Sequence, residues 1–408
     1  MNRSLRAAAL AAVLAPLWAG AREAAPVFSF SAFGTLGALR TDTSVGRYTT
    51  SVLQPPGPGT SWDLRTDSVI GGQVEAHFTR IVGATLQVVS ERTASDDFMP
   101  HVETGFLRVA ATPDLALRVG IMAVPVFMIS DSRLVGISFP WVRPPTALYS
   151  QVPITNFRGA DLVYRRAIGD AAFTLQPFAG KAPTDVPDGT GGTIRARLDR
   201  LLGASASTQL GAWTLRAAWF RTDFSFSSPM RRNLVAQLEA AAPSLASAED
   251  LIGDLEPSSK RLTFTSVGAA YDAGGLFAQA EYGRRDSQTR ALARTRSWYG
   301  TLGYRIGNVM PHVTLSRVLV DSRLEQPVLP SSGESGALAA SIDTLFASQN
   351  VAQTTASFGV RWQFLRNADA KVQWDHVELP HGAVGNFRAP AGFADKVNVY
   401  SVSVDFVF

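Results

Sequence analysis

The sequence predicts an all-β fold, a transmembrane antiparallel β-barrel of about 16 strands with an apolar outer face. Three observations carry that prediction. The final stretch, Lys396 to Phe408, alternates with a period of two: Tyr400, Val402, Val404, Phe406 and Phe408 share one face, Ser401, Ser403 and Asp405 the other. Between such runs, tight turns alternate with long polar connections. Beyond Ala21, no stretch approaches the roughly 18 consecutive apolar residues of a spanning helix, so any membrane span must be made of strands.

Met1 to Ala21 reads as an export signal. Arg3 and Arg6 supply the positive start, Ala7 to Leu17 an apolar core too short to span, and Ala19-Gly20-Ala21 a small-residue cleavage site. Residues 22–408 are then expected to form a single barrel domain. Removing the signal leaves 36 basic against 34 acidic residues, a balance that gives no support to a nucleic-acid partner. The 408 residues contain no Cys, which excludes disulfides and thiolate metal sites.

Strand structure is expected from Val27 onward, with Phe28 and Phe30 on one face and Ser29, Ser31 and Thr35 on the other. Tight turns are expected near Arg80, Pro113-Asp114, Gly169-Asp170, Gln209–Gly211, Ala273–Gly275, Gly307-Asn308 and Asn367–Asp369, where Gly, Asn and Asp allow hairpin geometry. Longer connections are expected over Thr41–Arg65, Glu91–Pro100, Val124–Phe157, Lys181–Gly192, Phe224–Ser259, Asp286–Ala291, Asp321–Asn350 and Pro380–Ala394. About seven short and eight long connections make about sixteen strands, with both termini on one side. The alternation runs throughout: Gln73, Glu75 and His77 oppose Val74 and Ala76, and Arg216 lies between Leu215 and Ala217. A soluble sandwich would show the same alternation. The terminal ribbon would be an aggregation hazard as a free edge, whereas in a closed barrel it pairs with the first strand.

Two connections read as partly helical, Pro229 to Ala242 and Gly336 to Ala347, as short amphipathic caps over the barrel mouth or a neighbouring subunit. The third long connection, Val124 to Phe157, differs in kind. It carries Phe127, Phe139, Pro140, Trp141, Pro144, Pro145, Tyr149 and Pro153, together with Asp131, Arg133 and Arg143. So many bulky groups need a surface to pack on, and the lumen offers one. A barrel of this size encloses an aqueous channel that an inserted loop would narrow.

In signal, strand rhythm, inserted loop and terminal Phe the chain resembles a Gram-negative outer-membrane porin of the trimeric sixteen-stranded type. The segments Asp131-Ser132-Arg133-Leu134-Val135-Gly136 and Phe139-Pro140-Trp141-Val142-Arg143-Pro144-Pro145 are similar to a subgroup near the dicarboxylate-type porins. The resemblance implies short periplasmic turns, long external loops, a homotrimer in outer-membrane lipid, and passive diffusion of small hydrophilic solutes through an ion channel. Asp131, Arg133, Trp141, Arg143 and Tyr149 are the candidate constriction.

Arg108, Arg118, Arg165, Arg195, Arg197, Arg216, Arg305 and Arg361 are assigned to the lumen wall with Glu75, Glu281 and Asp375, and with Asp161, Asp199 and Asp405. On the lipid face an arginine near midplane would cost about 2–4 kcal/mol. Rows of arginine facing a pore favour anions such as organic acids; paired with the acids, they would only stiffen the wall. Nothing points to covalent chemistry or a cofactor. The five histidines lack metal-ligand spacing, and neither a phosphate loop nor a Gly-x-Ser-x-Gly elbow is present. The rival readings are an outer-membrane barrel hydrolase with a Ser/His site and a hydrophobic-substrate transporter.

Overall fold

The computed structural model describes residues 26–152, 154–187, 192–241, 248–321 and 336–408. The expected export signal therefore lies outside the described residues, as does Pro153. In chain order the strands are β1 (Val27–Thr41), β2 (Arg47–Tyr48), β3 (Val69–His77), β4 (Val82–Glu91), β5 (His101–Ala110) and β6 (Leu115–Ala123). Then come β7 (Asn156–Ile168), β8 (Ala171–Pro187), β9 (Thr193–Leu210), β10 (Trp213–Ser225), β11 (Lys260–Ala273) and β12 (Leu276–Ser287). The last are β13 (Thr295–Tyr304), β14 (Val309–Val320), β15 (Gln353–Leu365), β16 (Ala368–Glu378), β17 (Phe387–Arg388) and β18 (Lys396–Val407). All but β2 and β17 form one closed antiparallel barrel in which β18 returns to β1; β2 and β17 pair with each other.

The closure follows from the alternation. In β1 and β18, Thr35 lies opposite Asp405 and Leu36 opposite Val404, so the apolar and polar faces of the two strands coincide. Phe408 completes the seam: its N–H donates to Ala32 O at 2.7 Å, and its carbonyl accepts from Ala32 N at 2.9 Å. On the outside, Leu107, Val119, Leu175, Trp219, Leu302, Val313, Phe358 and Val404 are all exposed. Such a band around a whole barrel belongs in hydrocarbon, and closure leaves no unpaired edge there.

At the end bearing the tight turns, Gly169, Gly211, Gly274 and Gly307 hold φ of 58°, 55°, 59° and 60°. This is the left-handed region that hairpin turns need and that glycine enters without strain. At the other end two differences from expectation appear. Most of Lys181–Gly192 is strand, since β8 continues to Pro187 and β9 resumes at Thr193. Period-two alternation persists there, and the prolines and Gly-rich tip had suggested a loop. The small β2–β17 sheet was also not foreseen; it buries Tyr48 and Phe387 against Leu39, Val397 and Val399.

Among the described residues the connections carry the α-helices α1 (Thr146–Tyr149), α2 (Pro229–Ala241), α3 (Ala248–Leu255) and α4 (Gly336–Ala347) and a short 3-10 turn over Gly136–Ser138. Ser228 caps α2, its Oγ accepting from Arg231 N at 3.2 Å, with Pro229 in the first position. Leu234 and Leu238 of α2, Leu251 and Leu255 of α3, and Leu338, Ile342 and Phe346 of α4 bury one another. The cap helices thus pack chiefly on each other. The sequence reading had no counterpart to α3.

Candidate functional site at the inserted loop

The connection between β6 and β7 crosses the lumen and reaches the far wall. Met128 N donates to Glu281 Oε1 of β12 at 3.0 Å, and the Trp141 indole N–H to Thr301 Oγ1 of β13 and Thr314 Oγ1 of β14, each at 3.0 Å. Arg361 of β15 donates to Ile137 O at 2.8 Å, and Lys371 of β16 to Gly136 O at 2.6 Å. Arg143 donates to Ser401 of β18 at 2.6 Å, and Ser266 of β11 donates to Val126 O. A loop that leaves at β6 can touch seven strands from β11 to β18 only from inside. The side chains it meets therefore mark the inward face.

Its bulky residues explain the location. Phe127, Phe139, Trp141, Leu148, Val152 and Ile154 are buried with Phe178, Leu198, Phe220, Phe264 and Tyr299 of the barrel. Trp141 was expected at the constriction. It is instead 1% exposed, turned to the wall between Phe139 and Tyr299, where it anchors the loop. Arg143 is likewise a clamp. Its guanidinium grips Asp67 at 2.9 and 2.6 Å and lies 3.4 Å from Asp375. Burial opposes its charge, but Asp67, Tyr48 and Asp375 together outweigh burial and hold its pKa above the ordinary arginine value. Nearby, burial pushes the Tyr48 phenol up to about 12.

Gly136 is required at its position. A Cβ there would meet the Asp405 carboxylate and lie 2.7 Å from Thr35 Oγ1. Gly136→Val should lift this segment from the wall at roughly 1–3 kcal/mol, checked by the denaturant midpoint of vesicle-folded protein and by noisier single-channel current.

The remaining expected constriction residues differ in exposure. Asp131 is exposed on the loop. The Tyr149 hydroxyl donates to Glu281 Oε2 at 3.0 Å. Arg133 bridges loop and near wall, donating to Glu103 Oε1 of β5 at 2.5 Å, and Asn156 Nδ2 donates to the other Glu103 oxygen at 3.1 Å. Burial opposes the Arg133 charge, and Glu103 and Glu91 together more than restore it. Beside this bridge lies an opening of about 620 Å³ lined by Asp67, Glu91, Arg92, His101, Glu103, Arg133 and Tyr149, among others. A smaller opening of about 260 Å³ toward the tight-turn end is lined by Glu75, His77, Arg108, Arg118 and Arg165.

Glu91, His101 and Glu103 also lie close enough to share a cation, but any cation would have to displace the guanidinium already on Glu103.

Along the wall, Arg118 forks onto Asp161 at 2.9 and 2.5 Å. Arg108 lies opposite Arg118 in the β5–β6 register and Arg165 opposite Thr174, both inward. Arg216 donates to Pro125 O at 3.0 Å, and Arg361 pairs with Asp369 at 2.6 Å. Arg305 sits beyond the end of β13, in a tight turn at the rim, paired with Asp272 at 2.5 Å.

Arg195, Arg197 and Asp199 do not face the lumen. Arg197 pairs with Ser225, on the outward face of β10, and Arg195 bonds to exposed Asp185 at 3.0 Å. The reason is a reversal of polarity above the apolar band. There Ala196 and Leu198 turn inward onto the loop's core and the charges turn out, beyond an irregularity at Arg200 (φ 52°). The loop's charged partners Asp67, Glu103, Asp369 and Lys371 were not singled out as site residues. Alternation assigns a face to a wall residue but names no partner from a distant loop.

No protein-family model and no curated protein matches the chain. Solved structures do. OmpT, an outer membrane protein of Vibrio cholerae in trimer form, superposes with a TM-score of 0.54 at 11% identity, over 94% of this chain and 100% of that one. The outer membrane channel DcaP of Acinetobacter baumannii gives 0.54 at 11% identity, over 94% and 98%. An anion-selective porin from Comamonas acidovorans gives 0.52 at 11% identity, over 94% and 100%. Closed by sixteen antiparallel strands and narrowed by a loop folded into its lumen, this chain has the fold of the outer-membrane porins.

Proposed function

We propose that the chain is an outer-membrane pore that passes small hydrophilic solutes down their gradient, with a modest preference for anions such as organic acids. The observation that carries this reading is the polar, charge-lined opening left between the inserted loop and the wall of β3 to β7. An apolar outside and a wet inside on the same strands suit a passive pore. The chain is proposed to work as a homotrimer in outer-membrane lipid, after an export signal at 1–21 has been removed; the similar Vibrio cholerae protein was solved in trimer form.

The anion preference is modest because the loop arginines are neutralised where they stand, Arg133 by Glu103 and Arg143 by Asp67. Arg108 and Arg165 have no acidic partner within 4.0 Å among the described residues, so they set the sign of the field in the smaller opening. Arg108→Glu combined with Arg165→Glu should move the reversal potential in a salt gradient to the cation side. An unchanged potential in planar bilayers would remove these residues from the conduction path.

A Ser/His hydrolase would need the two side chains joined. His376 instead lies 2.9 Å from Asn398 Oδ1, and His101 3.7 Å from Glu103.

A further inference from the structure

The arginines displaced from the lumen raise the question of what they meet outside. Lys181, Arg197, Arg221, Arg261, Arg296 and Arg317 all point away from the barrel and are exposed. Register places them there: Arg261 is paired with Asp223 and Arg317 with Trp298, both on outward faces. Each stands in the half of its strand nearer the long connections, and exposed apolar residues lie below on the same face: Trp219 and Leu215 below Arg221, and Leu315 and Val313 below Arg317. They therefore ring the level where hydrocarbon gives way to lipid headgroups.

Two further features sharpen the reading. First, these cations are in excess. Asp185, Asp199, Asp223 and Asp286 share the face; Asp185, Asp223 and Asp286 are occupied by Arg195, Arg200 and Arg284, which leaves Asp199 against the six cations. None of the six named cations has an acidic partner within 4.0 Å among the described residues. Second, the ring covers one sector, from Arg158 of β7, which lies opposite Lys181 in register, round to Arg317 of β14. At the same level across the barrel, Lys396 is paired with Glu378 at 3.0 Å, and Arg40 lies over Trp62 and Tyr400. At the tight-turn end of the ring's own sector the outward residues are Trp213, Tyr271 and Tyr304 rather than a second row of cations.

We propose that the outward face of β7–β14 is a docking surface for phosphorylated lipid headgroups of the leaflet on the long-loop side. Guanidinium groups bind phosphate oxygens through paired N–H donors, and a row of them at a membrane surface favours anionic lipid additively. The inference rests on the chain being a membrane barrel, not on the solute it passes.

The test uses the full chain in phosphatidylcholine nanodiscs containing brominated phosphatidic acid, whose bromines quench the outward tryptophans Trp219 and Trp298. The protein should prefer phosphatidic acid to phosphatidylcholine by about tenfold, and added NaCl should weaken that preference. The variant R221Q/R261Q/R296Q/R317Q should lose most of it while its single-channel current stays unchanged, which separates this proposal from the pore reading. Lys396→Gln, in the opposite sector, should keep the preference. Equal quenching by the two lipids, or a quadruple variant that retains the preference, would overturn the proposal. Free inorganic phosphate that abolishes quenching at millimolar levels would also overturn it, because the site would then serve a soluble anion. Should the quadruple variant fail to fold, R261Q/R317Q is expected to reduce the preference by about threefold, and no reduction would count against the idea.

Discussion

Replacing Arg143 by Met is expected to destabilise the folded barrel by roughly 3–5 kcal/mol, because it strands carboxylates that the guanidinium now neutralises away from water. Asp67 and Asp375 are only 6% and 5% exposed at their side chains, and Arg143 7%. Methionine would fill most of the space and leave both charges unmatched. The loss should appear as a lower guanidinium midpoint for protein folded in vesicles. Freed from Asp67, Asp375 and Ser401, the loop should also fluctuate, giving larger and noisier single-channel steps. Adding Asp67→Asn to the variant should recover part of the stability, since a cycle of the two changes isolates the pair. A loss below about 1 kcal/mol would show that the clamp contributes no more than a surface ion pair.

The second large effect is expected at Trp141. Trp141→Ala should cost about 3–5 kcal/mol, mostly from the cavity it opens between Phe139, Tyr299 and the wall. The lost hydrogen bonds add little, because Thr301 and Thr314 already bond to each other at 2.8 Å and keep a partner. Trp141→Phe retains the bulk and removes the indole donor, and should cost about 1 kcal/mol. The contrast between the two variants, read by the same denaturant midpoint, separates packing from hydrogen bonding. Equal losses would mean that the indole N–H, not the ring's volume, holds the loop.

Much of the architecture was legible because it is written locally. Tyr400 to Phe408 declares its two faces by alternation, and β18 pairs with β1 in the register those faces demand. Gly169, Gly211, Gly274 and Gly307 mark tight turns that need left-handed backbone. The Phe- and Pro-rich stretch after β6 announced a loop that could not stay in water, and it lies in the lumen. What failed was the rule of polar inside and apolar outside at residues above the apolar band. Arg195 and Arg197 alternate as lumen residues would, yet the loop core fills the interior at their level.

Trp141 failed for a related reason. Its place in the loop among charged residues suggests the opening, but burial against Tyr299 is the lower free energy for so large an apolar surface.

By itself the sequence determined that a barrel forms, how many strands it has, which side of each membrane strand meets lipid and which connection turns inward. Those properties depend on neighbours two residues apart and on turn chemistry. Tertiary structure alone decided which guanidinium meets which carboxylate, and hence which charges of the lumen stay without an acidic partner. Val142 and Gln373, or Arg143 and Ser401, lie more than 200 residues apart in sequence and meet because the barrel closes around the loop.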